Sequence, residues 1–188
     1  MMLGLTACAT TDPIAGPVPQ VGFAHLPSIT FNVARVDVAS AFKSSMIAPN
    51  AEHRLPAPPE RAMFDWALAR LKSSGGAENQ TIATFVIEDA SVLETKLEKT
   101  KGFTGLFTYE PAERYDARAV ASLTIKDPVT GSNGNIRVTA TRSIEVGEKA
   151  TLGEREQAWV ELVENLMADF NAQMEIQTQA HLGPWLVR

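Results

Sequence analysis

The chain has a single cysteine in 188 residues, so no internal disulfide can form. Histidine is nearly as scarce. His25, His53 and His181 lie far apart, and none has a second ligand about two to four positions away, as metal sites usually do. No metal site and no cofactor is therefore expected. Positive charge is short: 17 Lys and Arg face 22 Asp and Glu, a net −5, the opposite of the basic face a nucleic-acid binder carries. Nucleophile-elbow and phosphate-loop motifs are missing, since no Gly-x-Ser-x-Gly occurs and Gly102 and Gly105 do not lead into Gly-Lys-Ser/Thr. After residue 8 no stretch reaches the roughly 18–20 apolar residues of a membrane-spanning helix. What remains is a chain 45% hydrophobic, enough for a core and of a length that suits one domain.

The clearest pattern is a period of two. Tyr115, Ala117, Ala119, Ala121, Leu123 and Ile125 alternate with Asp116, Arg118, Val120, Ser122, Thr124 and Lys126, which predicts a strand with one buried face. Asp127-Pro128 and Gly131-Ser132-Asn133-Gly134 supply the turn, and Ile136, Val138, Ala140, Ile144 and Val146 the returning strand of an antiparallel hairpin. Upstream, 28–40 reads as a first strand with a bulge near Ala34-Arg35, and 80–97 as a long strand whose register breaks near Asp89-Ala90. Between them Phe64, Ala67, Leu68 and Leu71 fall at helical spacing, predicting an amphipathic helix over 59–73 that begins on Pro59 and stops at Gly75-Gly76. Thr151 and Glu154 match a capping box ahead of a long helix with the stripe Trp159, Leu162, Val163, Leu166, Phe170 and Met174, ended by Gly183-Pro184.

The order is β-α-β-β-β-α. A sheet with one apolar face and two amphipathic helices predicts an α+β fold: a four-stranded, mostly antiparallel sheet with two helices packed on one face. The first two strands, joined by a helix, can run parallel. Arg118, Thr124, Lys126, Arg137 and Thr139 fall on the other, solvated or partner-facing side.

Three places are candidates for function. Lys96 to Tyr109 forms a glycine-bearing loop in which Lys99 and Lys101 neighbour Phe103, Leu106 and Phe107. Either these side chains form a contact tip for a membrane or an acidic partner, or they fold back to plug the end of the sheet. Glu88, Asp89 and Glu94 offer carboxylates for acid–base hydrolysis, but neighbours on one strand are expected to point to opposite faces. Arg142 sits on the apolar phase of its strand, either paired with Asp116 or Glu145 or snorkelling near the sheet edge.

The N-terminus adds a location. Leu5-Thr6-Ala7-Cys8 resembles the lipobox of bacterial lipoproteins, in which the cysteine thiol receives a diacylglyceryl group and the small residues before it admit the peptidase. Only Met1 to Gly4 precede the box and none is basic, so either the match is accidental and Cys8 is an ordinary buried or free thiol, or the start lies further upstream. Residues 1–7 then read as residual signal peptide and Cys8 as the lipidation site. Residues 8–27, with four prolines, read as a tether or a coil laid over the domain, and 28–188 as a single domain. With Cys8, the strand leading into Pro56-Ala57-Pro58-Pro59, the hairpin over 114–146 and the closing helix with Asp169-Phe170-Asn171, the chain is similar to the auxiliary lipoproteins of ABC-type envelope transport. That resemblance implies a non-enzymatic binding or scaffold module facing the periplasm. It would sit on the membrane, by sorting preference the outer one, through its palmitate-type lipid anchor and work with an envelope protein partner. The competing expectation is an envelope enzyme acting on peptidoglycan or glycan through carboxylates such as Glu88.

Overall fold

The computed structural model describes residues 21–76, 78–97 and 111–187. In chain order the elements are β1 (Ile29–Phe31), β2 (Arg35–Ser40), α1 (Pro59–Arg70), β3 (Leu71–Ser73), β4 (Ile82–Asp89), β5 (Val92–Lys96), β6 (Pro111–Lys126), β7 (Asn133–Gly147) and α2 (Leu152–His181). The period-two run becomes β6, the centre of the main sheet. One edge of β6 pairs antiparallel with β7 from Glu113–Val146 to Lys126–Asn133. The joining turn is fixed by Asp127, whose carboxylate accepts from Val129 N at 2.8 Å and Thr130 Oγ1 at 2.7 Å, and by Gly131 at φ +74°, where a side chain would be strained. The other edge of β6 meets β4 and β5 in succession, both antiparallel, and β2 extends the sheet parallel to β4. β1 and β3 form a separate two-stranded parallel pair.

The fold is α+β with two helices, but the main sheet has five strands, not four, and the element order differs from β-α-β-β-β-α. The segment 80–97 is two strands because Asp89 Oδ1 accepts from Ser91 N at 3.0 Å, a local turn that interrupts the ladder and leaves Ala90 buried outside it. The segment 28–40 is also two. Val33 N bonds back to Phe31 O at 2.9 Å, and the chain leaves one sheet for the other. The first helix ends at Arg70 rather than near residue 73. Leu71 is already extended and starts β3.

Both helices lie on the same face. Trp66 of α1 stands 5.7 Å from Phe85 of β4 and 5.2 Å from Phe170 of α2, with Phe85 and Phe170 edge-on at 6.4 Å. Such aromatic pairs add about 0.5–1.5 kcal/mol beyond the area they bury. The capping box of α2 forms as expected: Glu154 N donates to Thr151 Oγ1 at 3.3 Å and Thr151 N to Glu154 Oε2 at 2.7 Å. Its stripe from Trp159 to Met174 is buried. In α1 the stripe is rotated from the predicted one. Ala62, Met63, Trp66, Ala67 and Arg70 are buried, whereas Leu68 is 52% exposed. Among the described residues, no helix is long and apolar enough to cross a membrane.

Candidate binding cleft

The rotated stripe of α1 carries a buried charge, Arg70, into the contact with α2. Trp66 and Arg70 are one turn apart on α1, Asn171 and Glu175 one turn apart on α2, and the two pairs meet. Trp66 Nε1 donates to Asn171 Oδ1 at 2.9 Å, and Asn171 Nδ2 to Glu175 Oε1 at 3.2 Å. Arg70, 1% exposed, donates from one terminal nitrogen to Glu175 Oε1 and from the other to the carbonyl of Pro27. A buried guanidinium needs such partners, because an isolated buried charge costs several kcal/mol. Two polar atoms of this floor, Arg70 Nε and Thr178 Oγ1, are buried and make no hydrogen bond among the described residues. Each such group costs about 1–3 kcal/mol.

Above this floor opens a cleft of about 510 Å³. Ile29, Leu186 and Val187 supply apolar wall, and Ser28, Thr30 and Gln179 polar rim. The wall is held by main-chain bonds: Val187 N donates to Thr30 O at 2.9 Å and Asn32 N to Trp185 O at 2.7 Å. Gly134 lets the C-terminal segment close in. A Cβ there would lie 2.6 Å from Trp185 Cζ3 and 2.7 Å from Leu182 Cδ2. Sequence reasoning missed this site. The available signal was Arg70 completing a helical series with Met63, Trp66 and Ala67, a polar residue on the buried phase.

The carboxylates and Arg142 that the sequence singles out fall elsewhere. Cys8, and Lys99, Lys101, Phe103, Leu106 and Phe107, lie outside the described residues. The loop's root is described: Leu97 N donates to Ala112 O at 2.9 Å. Beside it Tyr115 stacks edge-on against Trp159 at 5.5 Å and donates to Glu113 Oε2 at 2.8 Å, while Arg155 pairs with Glu113. Burial, then the charge of Glu94, pushes the Tyr115 phenol above its ordinary value. Of the segment 8–27, residues 21–27 are described. Phe23 is buried, and Val21 and Leu26 pack against the core. His25, His53 and His181 are each exposed.

The carboxylates depart from expectation. A β-bulge between Ile87 and Asp89 gives β4 one extra residue, so Glu88 and Asp89 share the outer face instead of pointing to opposite sides. Each holds its own arginine: Glu88 pairs with Arg137 at 2.6 Å and Asp89 with Arg118 at 3.1 Å. Burial pushes the Glu88 carboxyl up, but Arg137 and Ser122 outweigh it and hold it below the ordinary range. Glu94 pairs with Arg54, whose guanidinium lies 6.0 Å from the Trp159 ring centre. Arg142 is paired with neither Asp116 nor Glu145. It reaches Asp169 of α2 with two bonds of 2.7 Å, half exposed at the sheet edge. Arg118, Thr124, Lys126, Arg137 and Thr139 lie on the face opposite the helices, as predicted.

No protein-family model matches the chain. No curated protein matches it either. Among solved structures it is similar to a Xanthomonas campestris protein of the family model DUF330, at 7% identity and a TM-score of 0.36, covering 87% of this chain and 95% of that one. It is also similar to a hemagglutinin homolog from Helicobacter pylori, at 10% identity and a TM-score of 0.30, covering 90% and 95%. A third is the PelC dodecamer from Paraburkholderia phytofirmans, at 11% identity and a TM-score of 0.23, covering 83% and 92%. At these identities and scores the likenesses carry no argument about function.

Proposed function

We propose that this chain is a lipid-anchored module of the bacterial envelope that binds rather than catalyses, with the cleft over Arg70 as its binding site. The observation that carries the reading is a buried guanidinium beneath an open, half-apolar cleft of a size that suits a small ligand or a short segment of a partner. Such a floor suits an oxygen acceptor, and the wall of Ile29, Leu186 and Val187 suits an apolar stem. That combination fits an anionic amphiphile and accords with an accessory role in envelope lipid transport. The hydrolase reading has no comparable support. Glu88 and Asp89 are ion-paired, and Glu88 is held low, the reverse of what a general acid requires.

Glu175 is the internal competitor for Arg70 and is partly exposed. Replacing it by Gln leaves the arginine positive. Titration of the full chain with dodecanoate and with dodecanol tests the site. The carboxylate binds more tightly than the alcohol, and Glu175→Gln tightens dodecanoate alone. Equal affinity for the two probes, or no response to the substitution, would overturn the cleft reading. The anchor is tested separately by intact-mass analysis of protein from its native membrane. A diacylglyceryl thioether on Cys8 is the expected mass, and an unmodified N-terminus sinks the envelope assignment.

A further inference from the structure

β7 is an edge strand of 15 residues that pairs only with β6 among the described residues. A long edge invites another strand, and proteins usually blunt it with lysine, proline or a bulge. From Ile136 to Val146 this strand has no lysine, no proline and an unbroken register with β6. The opposite edge, β2, is six residues long and carries the Arg35–Asp37 ion pair.

The charges of the outer face point to the occupant. Asp37, Glu88, Asp89 and Asp116 each hold an arginine, whereas Glu145 makes no ion pair among the described residues. Arg137, eight residues along the same strand face, engages Glu88 through Nε, and its terminal nitrogens make no ion pair among the described residues. We propose that two copies of this chain pair through β7, antiparallel and two-fold symmetric about Thr141. In that register Arg137 of each copy faces Glu145 of the other, Thr139 faces Ser143, and on the helix side Arg142 lies beside the small Ala140. Alternate residues of an edge strand turn their N–H and C=O groups outward, and this register sets those residues opposite one another with both sheet faces matched. Slipping by two residues either way loses both ion pairs, because Arg137 then faces Ser143 or Gly147. Ile176, 55% exposed and two helical turns from Asp169 on the same stripe of α2, flanks this edge and gains cover from the second copy.

The register can be read by cross-linking in full-length protein carrying Cys8→Ser, so that an introduced thiol is the only one. Thr141→Cys sets two thiols opposite each other in a hydrogen-bonded pair, with Cα atoms about 5.5 Å apart, within the roughly 4.4–6.8 Å a disulfide spans. It should give a covalent dimer under mild oxidation. Thr139→Cys, offset from itself by roughly 13 Å along the strand, should not, but should cross-link when mixed with Ser143→Cys. Sedimentation without cross-linking adds the charge test. Glu145→Arg, at an exposed position, weakens association by about tenfold through two like-charge pairs. No Thr141→Cys dimer, equal cross-linking by Thr139→Cys alone, or association unmoved by Glu145→Arg would each overturn the proposal.

Discussion

On the helix-covered side of β4 and β6 the strands bury Phe85, Ile87, Leu123 and Ile125, while on the outer side the same two strands carry Glu88, Asp89, Arg118 and Ser122. One backbone thus presents two surfaces that resist water by different means. The inner one is an aromatic and aliphatic core closed by two helices. The outer one is a lattice of arginine–carboxylate pairs. The difference shows in where cost is stored: removing an inner side chain leaves a hole, whereas removing an outer one leaves a partner that water can solvate. The Arg70 floor belongs to neither class. It is a charge from the outer vocabulary placed on the inner side, where losing a partner is expensive.

The most severe way to break the inner surface is Trp66→Ala. It removes the ring between Phe85 and Phe170 and leaves Asn171 Oδ1 without its donor. A loss of about 3–5 kcal/mol is expected from urea unfolding. Because Asn171 also orders Glu175, dodecanoate binding should change as well. Unfolding midpoints within experimental scatter of the parent would contradict the assignment of this ring to the core.

Next comes Glu52, a carboxylate on the inner side that ties the 41–57 connection to β5. It accepts from Ser44 and from Val92 N at 3.2 Å. Burial pushes its carboxyl up, but Ser44, main-chain amides and Asn50 outweigh it and hold it below the ordinary 4.5. A lowered folded value means that the stabilisation is present above the ordinary value and is lost as pH falls through the folded one. Glu52→Ala should cost about 1–3 kcal/mol at neutral pH, and a series of melting curves from pH 7 downward should show a shallower acid decline than the parent. An unchanged acid slope would assign that dependence to other carboxylates, Glu88 first.

The boundary between the two surfaces is sharpened by Val120, on the outer phase of β6 yet 1% exposed, flanked by Arg118 and Ser122 and opposite Thr139. Val120→Ala should cost about 1–2 kcal/mol, intermediate between the faces. A cost near zero would mean that the ion-pair lattice excludes no water.

How much of this was legible in the sequence depended on whether one period governed a segment. Alternation along β6 and β7 and the stripe of α2 were readable because side-chain environment followed local phase, with Val120 buried on the outer phase and Arg142 half exposed on the inner one as the departures. The break at Ala90-Ser91 was only half readable. Asp89 looked like a register disturbance, but its bond to Ser91 N is a three-residue event that periodicity cannot separate from a bulge. The Arg70 cleft was hidden for another reason. Its floor joins residues 105 positions apart, and the helix that supplies it buries an arginine where hydropathy counts a polar position. The partner of Arg142 was missed likewise, because Asp169 arrives from α2 and not from the neighbouring strand.

The gentlest perturbation of the comparison is Arg118→Gln on the outer face. Arg118 and Asp89 are 3.1 Å apart, but their side chains are 47% and 31% exposed, so water screens the pair and the holding of two side chains offsets part of its gain. A loss below about 1 kcal/mol is expected, and most of it should vanish in about 1 M salt, where the screening length falls to about 3 Å. Trp66→Ala, by contrast, should keep its full cost in the same salt, since a cavity does not respond to ionic strength. If instead the arginine variant costs as much as the tryptophan one and salt does not relieve it, the outer lattice is a second core, and the division between the two faces fails.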